Sequence, residues 1–273
     1  MKEFPKGGLI GRAVHLVQTI SDLHIPLYAA NAGYFIILSI FPALVLLLGI
    51  LRYTGLQVES LIEILGSVIP DALMGTIGDV VVSTYENSSA GLVGVSAVTA
   101  LWSASRGVYS LLTGLNAIYG VSEDRGFFYT RGISVLYTFL FFLVLLLTLV
   151  LHVFGGDLLH LLEQLPIPAW LLNLLDLRVF LLLIMQTALF CTMFMVLPNE
   201  RNRLQDSLPG SLLASIGWQV FTNLYSVYSQ KFTAYANIYG SVYVVALGML
   251  WMYFCICIVF YGGVLNKIME KWK

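Results

Sequence analysis

Charge is scarce in this chain of 273 residues: Asp, Glu, Lys and Arg together make up 11% of it, against 59% hydrophobic residues. A soluble domain carries about 25% charged residues, so a fully water-facing shell is excluded. The net charge is −1 and the 14 Lys and Arg are spread along the chain, which excludes the concentrated basic surface that nucleic acid requires. Cysteine is sparse. Cys191, Cys255 and Cys257 all fall in apolar stretches and read as small buried hydrophobes, with Cys255 and Cys257 on well-separated helix faces. Neither a disulfide nor a zinc site follows. His15, His24, His152 and His160 form no pair at ligand spacing, and no phosphate loop, nucleophile elbow or deaminase signature is found. We therefore expect no catalytic residues, metal or cofactor, and no enzyme. Internal repeats and low-complexity linkers are also missing, so residues 1–273 read as one integral membrane domain.

What the chain has instead is long apolar runs, with a mean hydropathy of +0.86. Six stretches are long enough to cross about 30 Å of hydrocarbon at about 1.5 Å per residue: 27–51, 91–115, 133–154, 179–197, 208–229 and 240–265. The expected fold is all-α, a polytopic membrane protein of six transmembrane helices plus short interfacial helices. The apolar run after Lys2, Lys6 and Arg12 lacks a small-residue cleavage site, so it reads as a retained span.

Basic residues alternate between the connections. Lys2, Lys6 and Arg12 precede the first stretch, Arg125 and Arg131 follow the second, Arg201 and Arg203 follow the fourth, and Lys267, Lys271 and Lys273 end the chain. The connection 56–90 contains no Lys or Arg but holds Glu59, Glu63, Asp71, Asp79 and Glu86. Positive charge is retained on the cytoplasmic side, which predicts cytoplasmic termini and an external acidic connection. Helical spacing of apolar residues in 9–20, 61–80 and 158–165 predicts interfacial helices.

Arg106 stands out in the second stretch. Isolated charge in hydrocarbon costs at least about 2.5–3.5 kcal/mol, so the guanidinium needs a partner, water or a route to the interface. On a helix, Thr99, Ser103, Arg106, Ser110, Thr113 and Asn116 follow one another at 3- or 4-residue intervals and form a polar stripe. Ser215, Gln219, Thr222, Ser226 and Ser229 repeat that rhythm in the fifth stretch. Arg106 reads either as a residue that snorkels or bonds a neighbouring helix end, or as the ligand of an anionic group such as a lipid phosphate. In the first stretch Asn31, Ser39 and Pro42 mark either packing with a kink or a broken helix lining a cavity. Tyr235 and Tyr239 read as interfacial anchors or as part of a headgroup-recognition loop. The candidate binding set is Arg106, Ser103, Ser110, Asn116, Asn31, Ser39, Gln219, Tyr235 and Tyr239.

From Leu27 to Asn266 the sequence closely resembles the YihY / virulence factor BrkB family of bacterial membrane proteins. The most specific pieces are Ser39 to Pro42, Trp102-Ser103-x-x-Arg106, Leu208-Pro209-Gly210 and Tyr235-x-x-x-Tyr239-Gly240. The resemblance implies a six-span protein of the bacterial inner membrane, with family labels that include serum resistance and an old ribonuclease BN name. The nuclease label conflicts with the residues, because no carboxylate cluster or histidine pair stands ready for a catalytic metal. A transporter or flippase of an anionic amphiphile is the leading expectation. An envelope assembly or structural factor, recruiting protein partners through its acidic external helices, is the alternative, and a ribonuclease comes last. The expected partners are membrane lipids, with no nucleic acid.

Overall fold

A computed structural model describes residues 18, 21–53, 82, 83, 85, 89–140, 143, 177–231 and 241–271. Every regular element among them is a helix: α1 (Ile25–Tyr53), α2 (Ala90–Tyr119), α3 (127–140), α4 (Leu177–Val196), α5 (Leu204–Lys231) and α6 (Ser241–Lys271). The proposed external helices of 61–80, the amphipathic segment 9–20 apart from residue 18, most of 141–170, and Tyr235 and Tyr239 lie outside the described residues.

The helix boundaries follow from local chemistry. Ser89 caps α2, its Oγ accepting the Leu92 amide at 3.2 Å, as Ser does where the first helical N–H groups lack partners. At the other end Gly120 takes a φ of 73°. The Val121 amide reaches back to the Asn116 carbonyl and the Gly120 amide to that of Ala117, a Schellman closure that requires a left-handed residue. In α1, Pro26 sits in the first turn, where its missing N–H costs nothing, whereas Pro42 lies in the interior and removes one helical hydrogen bond.

The chain divides into two compact units, Phe35–Arg106 and the remainder, and α1 and α2 contribute to both. In the larger unit α5 packs on α6 and on α4. Small residues permit this: Ser207, Ser211, Ala214 and Ser215 are fully buried, and a Cβ on Gly210 would collide with the Gly262 carbonyl oxygen. The two backbones therefore touch, as small residues allow at membrane helix interfaces. Ser211 and Ser215 satisfy their hydroxyls on the carbonyls four residues back, at 2.7 and 2.8 Å. Ala29, Ala32 and Gly33 form a buried small face on α1, and Gly33 lies against Met252 and the Tyr253 amide of α6. Phe194, Phe260, Leu112, Leu115 and Leu197 fill the core of this unit.

Large apolar side chains also cover the outside. Val98, Leu27, Phe41, Leu224 and Val242 are each about two-thirds exposed, a surface that water does not tolerate over whole helices. Among the described residues Ile25–Ala43 and Val245–Glu270 are long and apolar enough to cross a membrane, with Phe180–Val196 shorter.

Candidate functional site

Arg106 occupies an exposed position on α2. Its guanidinium carbon lies 5.7 Å from the ring centre of Phe35 on α1 and 5.7 Å from that of Trp102, one turn earlier on α2. Two aromatic rings stabilise the cation through their quadrupoles without consuming its five N–H donors. Among the described residues no carboxylate pairs with it. Trp102 is 53% exposed, so the cation and its ring stand at the boundary of the protein. The spacing of Trp102 to Arg106 was readable in the sequence, whereas Phe35 comes from another helix.

The other members of the α2 stripe divide by burial. Ser103, Ser110 and Asn116 are buried, Thr113 is half-buried and Thr99 is exposed. The stripe thus runs along the edge between the packed and exposed faces. Thr99 and Thr113 donate to the carbonyls of Val95 and Tyr109, each at 2.8 Å. Ser39 is buried and donates to the Ile36 carbonyl at 2.6 Å. Asn31 is exposed on α1.

Asn116 stands in a polar cluster at the end of α2. Its Nδ2 donates to Glu123 Oε2 at 2.7 Å, and its Oδ1 accepts the Asn199 amide at 2.7 Å. Arg125 donates to both oxygens of Glu123, from Nε at 2.7 Å and from Nη2 at 2.6 Å. It also reaches the Leu197 carbonyl at 2.7 Å, satisfying a helix end that has no intrahelical donor. The Arg125 and Asn116 hydrogen bonds hold the Glu123 carboxyl below its usual range despite partial burial. Asn266, 2% exposed on α6, accepts the Gly210 amide at 2.6 Å and donates to the Ser207 carbonyl at 3.1 Å. Arg125, Asn199 and Asn266 were missed in the sequence because each bonds across long chain separations. Glu123 was missed because a carboxylate in a connection has no local pattern to set it apart, although its partners Arg125 and Asn116 are two and seven residues away.

The α5 stripe meets α4 and α6. Gln219 donates to Gln186 of α4 at 3.2 Å, and Trp251 of α6 donates from Nε1 to Thr222 at 3.3 Å. Beyond these, an open groove of about 380 Å³ lies between α5 and α6, with Thr222, Ser226 and Ser229 on one wall and Trp251 on the other. Gln186 and Trp251 complete what the α5 rhythm began. Among the described residues no three His, Cys, Asp or Glu side chains gather as a metal would require.

An all-helical bundle with an apolar exterior, a cation at the edge of a polar stripe and hydroxyl-lined helix contacts is an integral membrane protein. Residues 16–273 match the family model described as virulence factor BrkB, and the chain belongs to that family. Over 251 residues it is 29% identical to a Bacillus subtilis (strain 168) protein named ribonuclease-like YfkH, covering 90% of each chain. It is also 28% identical over 90 residues to a UPF0761 membrane protein of Photobacterium profundum, and 31% identical over 97 residues to one of Yersinia enterocolitica. These shorter matches cover 33% and 36% of this chain and 28% and 32% of those relatives. No solved structure matches the chain.

Proposed function

We propose that this BrkB-family protein moves an anionic amphiphile, such as a lipid, across the bacterial cytoplasmic membrane, crossing that membrane six times with both termini in the cytoplasm. The observation that carries the reading is Arg106: an exposed guanidinium on a membrane helix, set between Phe35 and Trp102, with no carboxylate partner among the described residues. A permanent cation with free donors in an apolar setting fits a phosphate or carboxylate headgroup, and the adjoining rings fit the start of the acyl chain. Ser103 and Ser110, along the same edge, would line the path, and Asn31, Ser39, Asn116, Gln219, Tyr235 and Tyr239 complete the candidate set. The protein would act without bond chemistry, and the ribonuclease-like name stays with YfkH.

Purified protein in vesicles carrying a headgroup-labelled phosphatidylglycerol tests this. Dithionite bleaches only the outer leaflet, so a translocating protein exposes the inner pool. We expect bleaching beyond one half with protein and none in empty vesicles, and faster loss for the anionic lipid than for labelled phosphatidylcholine. Bleaching that stops at one half, with folded protein present, would refute the proposal.

A further inference from the structure

Helix α5 packs α4 and α6 with one side and, among the described residues, leaves the other bare. On that bare side Leu213, Ile216, Val220, Asn223 and Val227 follow one another at intervals of 3, 4, 3 and 4 residues. All five therefore share one face. Leu213, Ile216, Val220 and Val227 are each about half exposed, and Asn223 is exposed among them. A repeat averaging about 3.5 residues is the one that keeps two helices in contact along a left-handed pair, in membranes as in water.

Asn223 is the anomaly on this face. Its carboxamide carries two N–H donors and an acceptor oxygen, and it has no hydrogen-bond partner among the described residues. Its polar neighbours are provided for: Gln219 bonds Gln186 of α4, and Thr222 accepts from Trp251 of α6. The apolar band continues past Asn223, since Val227 stands one turn further along on the same face. The end of the helix at Lys231 is about 12 Å away, too far for so short a side chain to reach. Acyl chains offer neither donor nor acceptor, and an unsatisfied polar group in hydrocarbon is costly.

A second copy of the chain supplies both. Copies with the same topology pair in parallel about a two-fold axis along the membrane normal, so each residue of the seam meets its own counterpart. A carboxamide is complementary to itself, Nδ2 of one copy donating to Oδ1 of the other. We infer that the protein self-associates through this face of α5 as a parallel dimer, with the two Asn223 side chains hydrogen-bonded across the seam. The seam contains none of the residues around Arg106, so the inference stands or falls independently of the proposed translocation.

The test uses the full chain carrying Ser122→Cys, an exposed site, while Cys191, Cys255 and Cys257 are buried. Donor- and acceptor-labelled copies are mixed in phosphatidylcholine vesicles over a range of protein-to-lipid ratios. We expect energy transfer that saturates as a dimer does, and association weakened about tenfold by Asn223→Leu, the effect of losing hydrogen bonds between membrane helices. Asn223 is exposed, so the variant should keep the thermal midpoint of the parent. Copper phenanthroline in the same vesicles then locates the face. Val227→Cys should give a disulfide-linked dimer, whereas Tyr228→Cys, also exposed but about 100° round the helix, should give no more than the chain with its native cysteines. Energy transfer no greater than random mixing at every ratio would overturn the inference. So would unchanged association in Asn223→Leu, or linkage through Tyr228→Cys as strong as through Val227→Cys.

Discussion

Glu123 and Arg125 are two residues apart, yet their pairing matters through what it holds. Arg125 reaches from the carboxylate to the end of α4, and Asn116 links the same carboxylate to Asn199. The carboxyl's depressed pKa in the folded chain means that the pairing stabilises the protein above the ordinary carboxylate value near 4.5. That contribution disappears as pH falls through the lower folded value. Thermal unfolding in detergent from neutral to acid pH should therefore show a shallower acid loss for Glu123→Gln, which starts less stable, than for wild type; parallel curves would contradict this. Asn116 was legible in the sequence as a polar residue at the end of a stripe. Its partner Asn199 was not, because a hydrogen bond across 83 residues leaves no local pattern. Arg106 was legible for the opposite reason, since a charge in an apolar run is conspicuous without any partner.

Helix pairs were legible only as possibilities. On α1 the small residues Ala29, Ala32 and Gly33 permit close approach, and Gly33 lies against α6. The serines of α5 were harder to read. Ser215 fits a polar stripe, but it is fully buried and bonds its own helix, so at that level small size serves helix packing. The Leu208-Pro209-Gly210 segment gains a physical meaning from Asn266, which takes up the Gly210 amide while Gly262 presses on its Cα. A methyl at Gly210 would meet backbone and the Asn266 Oδ1 at 2.5 Å, and neither yields as a flexible side-chain tip would. Gly210→Ala should lower stability by about 1–3 kcal/mol, the usual cost of overpacking. Gly132→Ala, in open space on α3, should instead be neutral or stabilise by up to about 1 kcal/mol through the unfolded chain. Thermal midpoints of the two variants in the same detergent decide it, and equal shifts would contradict the packing argument.

For the whole molecule, composition fixed the class, because the same apolar excess that rules out a soluble surface also builds helices with apolar exteriors. Which helices touch was beyond sequence reading, since apolar side chains face lipid and protein alike and periodicity cannot separate the two. The proposed orientation is open to a direct check. Cys191, Cys255 and Cys257 are buried, so an added surface thiol should dominate labelling. Ser122→Cys, exposed in the connection from α2 to α3, should react with an impermeant maleimide in inside-out vesicles and not in intact cells. The reverse pattern would invert the topology.

The most direct measurement for the central proposal compares anionic-lipid translocation by wild type, Arg106→Lys and Arg106→Ala in the same vesicles, after each is shown to be folded. Loss of the cation should slow translocation by about tenfold or more in Arg106→Ala, since hydrogen bonds to charged groups contribute about 1.5–3 kcal/mol. Arg106→Lys should retain an intermediate rate, and transport of a neutral lipid should change little. Equal rates for wild type and Arg106→Ala would contradict headgroup binding at Arg106 and leave the guanidinium a packing role between Phe35 and Trp102.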